Sequence, residues 1–417
     1  MEPKKQNNSQ GELFKRELEG MVRPSHFLVK LSKVVNWERF EKAFGINYCA
    51  DKGAPGISTR TMAGLTILKY LNDCSDEVVF EYWLENPYWQ YFCVERYFQH
   101  EVPCDRSQLS RWRKRIGEKG AEEFLAESLA AAHEAGLLRM KFLEELFVDT
   151  TVQEKNIAYP SEANLLNRAR KNLVKLCKEH DVLLRQTYTR VGKLHQIKAH
   201  KYAAAHQWNR ARREIRKLRT IVGRIIREID RNLTDDKKPY FKAFLELTKK
   251  LYHSKDTGEK IHSLHEPHVE AIAKGKMHKR FEFGNKVSVV RTRKKGFILG
   301  CKSFHGNPYD GHTLEEALKD VEQRVGKEIF AKVGVDLGYR GHGIKEKFRV
   351  LHPRLKRLPK KSRLFIRARS AIEASISHLK RCFRLGRNYL KGKLGDIMNA
   401  LLAGAACNFS KICHALR

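Results

Sequence analysis

The chain has 417 residues, 41% of them hydrophobic and 31% charged, with 82 Lys plus Arg against 48 Asp plus Glu. That length suits two or three domains rather than one globule, and the ordinary apolar fraction excludes a mainly disordered chain. A net charge of +34 repels itself unless a polyanion neutralises it, so nucleic acid is the leading expected partner and a basic membrane-surface protein the alternative.

Membrane attachment finds little support. The most apolar run, 397–409, is about half a bilayer span and contains Asn399 and Asn408, so no transmembrane helix is expected. The opening "MEPKKQNNSQGELFKREL" lacks the apolar centre of a signal peptide, which points to the cytoplasm and, for a DNA partner, the nucleoid. The nine cysteines are scattered singly without a Cys-x-x-Cys pair and read as reduced, structural residues.

Residues 1–22 are polar and read as loose. From 23 to 118 the pattern predicts helices at 37–44, 59–71, 75–84 and 108–116, with Ser75 as an N-cap followed by acids that suit the helix dipole. The last of these, "SQLSRWRKRIG", is short and basic and ends at Gly117. It could enter a major groove with Gln108, Arg111 and Arg113 toward DNA, or lie on the surface with Trp112 in the core. A helix at 121–135 leads into "LEELFVDTTVQEK", where Leu146, Phe147 and Val148 form a short buried-strand run that ends in Asp149.

After Pro160 the composition changes. Residues 163–255 hold 25 Lys plus Arg and 8 Asp plus Glu, a net +17 and half of the total excess. Ile215, Leu218, Val222, Ile225 and Ile229 follow a 3-4-3-4 spacing, and Leu166, Ala169, Leu173 and Leu176 a shorter one, which predicts an antiparallel helical arm with basic outer faces. Such an arm could bind a polyanion or be a solvated hairpin without a ligand. Residues 281–305 turn to strand character around "RKKG" and predict a β-hairpin. Thr313 is placed as the cap of a helix to about 325, "AKVGVDLGYRG" as a short strand ending in Asp336, 362–384 as a basic helix, and 395–416 as an apolar helix that packs on the core.

Asp149 and Asp336 thus each stand where a strand leaves a core, and an unpaired carboxylate there is costly. A divalent cation resolves that cost. Mg²⁺ takes oxygen ligands, and two Asp plus a Glu could hold two ions about 3.5–4 Å apart, suited to attack on a phosphodiester. The stretch "RSAIEASISHLK" offers the Glu. On a continuous helix Arg369 lies about 40° and Lys380 about 20° from Glu373, while Ile372, Ile376, Leu379 and Phe383 form an apolar stripe about 80° away. Arg369 and Lys380 could then grip phosphates beside the acid. An i, i+4 Arg–Glu pair is also an ordinary surface feature worth a few tenths of a kcal/mol (about 0.2–0.5).

The phrases "FVDTTVQEKNIAYPSEANLL", "LHEPHVEAIAKGK", "FEFGNKVSV", "GNPYDGHTL", "VDLGYRG" and "RSAIEASISHLKR" resemble the DDE transposases of bacterial insertion sequences, in the insertion-sequence-five group and its close relatives. The resemblance implies an α/β fold: an RNase-H-like catalytic core at 119–162 and 256–417, an N-terminal all-α DNA-binding domain at 23–118, and a long basic helical insertion at 163–255. It implies a triad of Asp149, Asp336 and Glu373 with Mg²⁺, for which Mn²⁺ can substitute. In the family's Tyr-x₂-Arg-x₃-Glu-x₆-Lys signature, Arg369, Glu373 and Lys380 match, and Ile366 stands where the Tyr belongs.

Other residues have plainer readings. His262, His265 and His268 have a metal-like spacing interrupted by Pro267 and read as a polar loop; Asp310 is the rival carboxylate and reads as a turn before a helix. No nucleotide-binding glycine pattern is present. The expected function is Mg²⁺-dependent cleavage and strand transfer by a homodimer on double-stranded DNA, with terminal inverted repeats and target DNA as partners. An RNase-H-like nuclease without joining and a domesticated, non-catalytic DNA-binding protein are the alternatives.

Overall fold

A computed structural model describes residues 16–48, 56–258, 260–273, 279–326, 330–344, 349–354 and 358–417. Residues 1–15 of the expected loose N-terminus, and the last three residues of "LHEPHVEAIAKGK", lie outside them. The elements in chain order are α1 (Phe27–Val34), α2 (Trp37–Gly45), α3 (Thr59–Leu71), α4 (Asp76–Glu85), α5 (Pro87–Phe92), α6 (Ser107–Glu134) and β1 (Glu145–Lys155). Then come α7 (Glu162–Glu179), α8 (Thr189–Ala204), α9 (Trp208–Asn232), α10 (Lys238–Thr257), β2 (Glu270–Ala273), β3 (Phe281–Thr292) and β4 (Ile298–Phe304). The chain ends with α11 (Asp310–Val325), β5 (Lys332–Gly334), β6 (Arg349–Leu351), α12 (Lys360–Arg367), α13 (Ala371–Cys382), β7 (Arg387–Asn388) and α14 (Gly392–Leu416). It divides into two compact units, 1–154 with 285–417, and 155–284.

The first unit is mixed α/β. Its sheet places β3 beside β1 and β1 beside β5, with β6 outermost; β4 pairs with β3 and β7 with β1. The β3–β4 hairpin is antiparallel, as its alternation predicts. β1, β5 and β6 run parallel, with Phe147 opposite Gly334 and Gly334 opposite Leu351. α14 packs across β4 and α6, with most of its residues buried. Its small residues permit close packing: a Cβ on Gly404 would lie 3.0 Å from Cys301 Sγ and 3.2 Å from Ile298 Cγ2.

Two buried amides fix α14 against its neighbours. Asn408 accepts from the Ile298 N–H at 2.8 Å and donates to the Ile298 carbonyl at 2.8 Å and to Ser128 Oγ on α6 at 3.0 Å. Asn399 donates to Gln153 Oε1 on β1 at 2.8 Å and accepts from the Tyr70 hydroxyl at 2.9 Å.

Several expected boundaries are corrected. The strand carrying Asp149 does not end there: β1 runs six residues further, because Val152 and Gln153 are buried and the Gln153 amide bonds Asn285 and the Asp396 carbonyl at 3.0 Å each. Thr313 is not the cap of α11, which starts at Asp310; the Thr313 hydroxyl donates back to the Asp310 carbonyl at 2.7 Å, a bond made within the helix. Residues 362–384 are not one helix. A 3-10 turn, Ala368–Ser370, wound at three residues per turn, separates α12 from α13. Gly117 does break the basic helix, with φ +62°, and α6 resumes beyond it.

The unit at 155–284 holds four helices, α7 to α10, where two apolar spacings suggested a hairpin arm. They share their own core of Leu166, Leu173, Leu218, Val222, Ile225 and Phe241. β2 pairs antiparallel with the 281–284 end of β3.

The eight described cysteines are free, and among the described residues no helix is long and apolar enough to cross a membrane. Asn408→Ala leaves a buried N–H and C=O of Ile298 unpaired. It is expected to lower unfolding stability by about 2–4 kcal/mol in urea titration; a loss below about 0.5 kcal/mol would show that the clamp is unimportant.

Candidate active site

Asp149 on β1 and Asp336, two residues past the end of the adjacent parallel strand β5, stand at equivalent positions along the chain. The β1–β5 register ends at Phe147 and Gly334, and each aspartate is two residues further along its chain. Past Gly334 the Val335 N–H bonds the Leu351 carbonyl at 3.0 Å, and Asp336 opens a 3-10 turn through Tyr339. Parallel pairing therefore aims both side chains to the same end of the sheet.

Glu373 comes from the first turn of α13. A small core of Phe147, Leu351, Phe365 and Ile372 holds α12 and α13 on the sheet. The approach is close, since a Cβ on Gly334 would lie 2.8 Å from Phe147 Cδ1 and 3.0 Å from Phe365 Cε1. Arg291, buried on β3, donates from Nη1 to the Ala371 carbonyl at 2.7 Å and to Ser375 Oγ at 2.5 Å, tying α13 to the hairpin.

The three carboxylates converge on one guanidinium. Arg369 Nη1 is 3.6 Å from Asp149 Oδ2; Nη2 is 3.6 Å from Asp336 Oδ1 and 3.3 Å from Glu373 Oε1. Arg369 is 13% exposed, against 20%, 50% and 63% for the three acids, so the cation is deeper than its partners. Its Nη1 is buried and has no hydrogen-bond partner among the described residues. The stripe expected on a continuous helix is replaced by an arginine in the 3-10 turn reaching across to two strands. Lys380 is half-buried on α13.

Asp310 lies beside this cluster. Its Oδ1 accepts from Thr150 Oγ1 at 2.9 Å and from Lys286 Nζ at 2.8 Å, and Thr150 N–H donates to Asp149 Oδ1 at 2.8 Å. Tyr339 is buried here. Burial pushes its phenol well above the usual range, and the charges of Asp149 and Asp310 add to that. The hydroxyls of Ser288 and Thr150, which face the phenol, work the other way without outweighing burial.

Oxygen donors of this kind suit a hard divalent ion, and their convergence on one positive charge fits them to a cation. Their spacing is that of an ion-pair cluster. Among the described residues no three acidic, His or Cys side chains are grouped closely enough to hold a metal, so an ion requires the guanidinium to move aside. The His262, His265 and His268 set does not gather either: His262 packs on Phe283, His265 bonds Ser263, and His268 lies 3.4 Å from Glu266.

The basic helix at the start of α6 is partly corrected. Arg111 is exposed and Gln108 half-buried, but Arg113 is buried beside Trp112. Its guanidinium bonds Asp76 on α4 at 2.9 and 2.5 Å, and Lys69 bonds the same carboxylate at 2.5 Å. Arg113 therefore braces α6 against α3 and α4, and the exposed cations are Arg111, Lys114 and Arg115. Burial works to raise the Asp76 carboxyl, and the bonds and charges of Arg113 and Lys69 outweigh it and hold it at about 2; burial pushes Lys69 down to about 8.

Sequence reasoning also missed Arg291, Lys286 and Thr150. The signal available was a cation inside an apolar strand, at Lys286 and Arg291 of "NKVSVVRT".

Residues 16–115 match the family described as Transposase domain (DUF772). An uncharacterized protein ORF8 in the nfe locus of Rhizobium meliloti is 44% identical over 208 residues, which are 50% of this chain and 100% of that protein. No solved structure matches the chain.

Two outcomes follow. Asp76→Asn strands two buried cations and is expected to cost about 3–5 kcal/mol at neutral pH in urea titration. Because the Asp76 pKa is depressed, its contribution is complete above about 3.8 and lost as the pH falls through about 2, so about 2–3 kcal/mol of the gap from wild type closes over that window. Arg369→Ala leaves three carboxylates facing one another and should lower stability by about 1 kcal/mol, a modest loss because two of them are half-exposed or more; an unchanged urea midpoint would show that the guanidinium does not hold the cluster.

Proposed function

Because the chain belongs to the family that includes the Rhizobium meliloti ORF8 protein and carries a transposase domain at 16–115, we propose that it is a DDE transposase of the insertion-sequence-five group. It binds the ends of its element and carries out Mg²⁺-dependent cleavage and strand transfer. The observation that carries the reading is the meeting of Asp149, Asp336 and Glu373 at one guanidinium, from two matched strand positions and a separate helix. An RNase-H-like core is supported by the antiparallel β3–β4 hairpin on one side of β1 and the parallel β5 and β6 on the other.

Asp149, Asp336 and Glu373 would hold the ions, with Mn²⁺ able to replace Mg²⁺. A divalent ion bound there supplies charge to the scissile phosphate and lowers the pKa of a bound water or hydroxyl. The chain's own residues do the rest. Arg369 exchanges its carboxylates for a DNA phosphate, which a guanidinium binds through two parallel hydrogen bonds. Arg291 and the Phe147–Phe365 contact keep Glu373 in place while Arg369 moves. Lys286 neutralises Asp310, which through Thr150 steadies Asp149. The outer face of α6, with Arg111 and Gln108, contacts the element ends, and a homodimer brings two ends together.

A strand-transfer assay with element-end DNA and Mg²⁺ tests the reading. Wild type is expected to give joined products. Asp149→Asn, Asp336→Asn and Glu373→Gln each should lose about 10²–10³-fold or more in cleavage and joining while retaining DNA binding. Joining that survives these substitutions would refute the site. Cleavage without joining would indicate a nuclease, and binding without either a non-catalytic protein.

A further inference from the structure

The 155–284 unit carries a surface that the carboxylate cluster does not use. α9 is divided lengthwise: Leu218, Val222, Ile225 and Ile229 are buried on one side, and Arg213, Arg216, Arg224, Arg227 and Arg231 are exposed on the other. At 100° per residue the five arginines fall within an arc of about 80°, and from 213 to 231 the row is about 27 Å long. Thr220 is the uncharged residue in its middle.

Nearby acids are engaged elsewhere. Glu214 faces the buried side, with His195 at 2.5 Å and Lys217 at 2.8 Å, and Asp230 bonds Lys249 at 2.8 Å. None of the five arginines has an ion-pair partner among the described residues, so the row carries its own repulsion without internal relief. Its N-terminal end opens into a cleft of about 420 Å³ lined by Tyr202, Arg210, Arg213, Glu214, Arg216 and Lys217, with the Arg210 guanidinium 5.9 Å from the Tyr202 ring centre; the acid there is the Glu214 already paired with His195 and Lys217.

We propose that this arginine row on α9 is a contact surface for the sugar-phosphate backbone of double-stranded DNA, independent of base sequence. The inference rests on the reading of DNA as the partner and assigns it a second, non-catalytic contact. Duplex DNA presents about one negative charge per 1.7 Å of axis, so a 27 Å row faces about 16 charges, enough for every arginine to find a phosphate. Arginines spaced along one helix face over this length match a run of phosphates, and contacts to phosphate fix register and orientation without reading sequence.

The test uses the full chain and a 30-base-pair duplex (about 100 Å long at 3.4 Å per step) that lacks element ends, with affinity followed by fluorescence anisotropy across a salt series. If each arginine neutralises one phosphate, changing all five to Gln should make the slope of log K against log salt shallower by about 4–5. The five-Lys variant should keep the wild-type slope. Circular dichroism confirms folding; should the five-Gln chain misfold, Arg224→Gln with Arg227→Gln reads a change of about 2. A folded five-Gln variant with an unchanged slope overturns the assignment and leaves the DNA reading intact. An equal loss toward polyglutamate also overturns it, as the surface would then take any polyanion. Wild type that binds no duplex at any salt overturns the DNA reading itself.

Discussion

One guanidinium organises the centre of this protein. Three carboxylates from β1, the turn after β5, and α13 would repel one another at the end of a sheet, and Arg369 stands within 3.6 Å of all three. The cation is more buried than its acids; its Nη2 hydrogen-bonds Glu373 Oε1 at 3.3 Å, while among the described residues the buried Nη1 has no hydrogen-bond partner and meets Asp149 through charge.

The rest of the first unit serves this placement. Parallel pairing puts Asp149 and Asp336 level, the Phe147–Phe365 core and Arg291 seat α13, and α14 fixes the back of the sheet through Asn399 and Asn408. In the N-terminal helices Asp76 receives both Lys69 and Arg113, so part of the positive charge there is spent on bracing helices and is withdrawn from any DNA surface.

What could be read from the sequence was local. Each aspartate follows an apolar run, and Glu373 lies beside an apolar helical stripe, so their residue types and surroundings singled them out. The helix at 59–71 and the Ser75 cap were legible for the same reason: both depend on residues within a turn of each other. The misses involve partners far along the chain. Arg113 reads as exposed until Asp76, 37 residues earlier, is placed beside it. β1 reads as ending at Asp149 until Gln153 is seen to bond groups on α14 more than 240 residues later. Asp310 reads as a turn residue, and its contacts to Thr150 and Lys286 depend on how β1, β3 and α11 meet. In the second unit the apolar spacings of α7 and α9 were visible, but α8 leaves Val191, Leu194 and Ile197 exposed and gives no comparable pattern, so four helices read as two.

The most direct test of the account is metal-directed cleavage of the chain itself. Fe²⁺ bound to the full-length protein on DNA, with ascorbate and peroxide, should cut the backbone near residues 149, 336 and 373, and excess Mg²⁺ should suppress all three cuts together. Cuts confined to other positions, or cuts at these three that Mg²⁺ leaves unchanged, would contradict the claim that Asp149, Asp336 and Glu373 form one metal-binding centre.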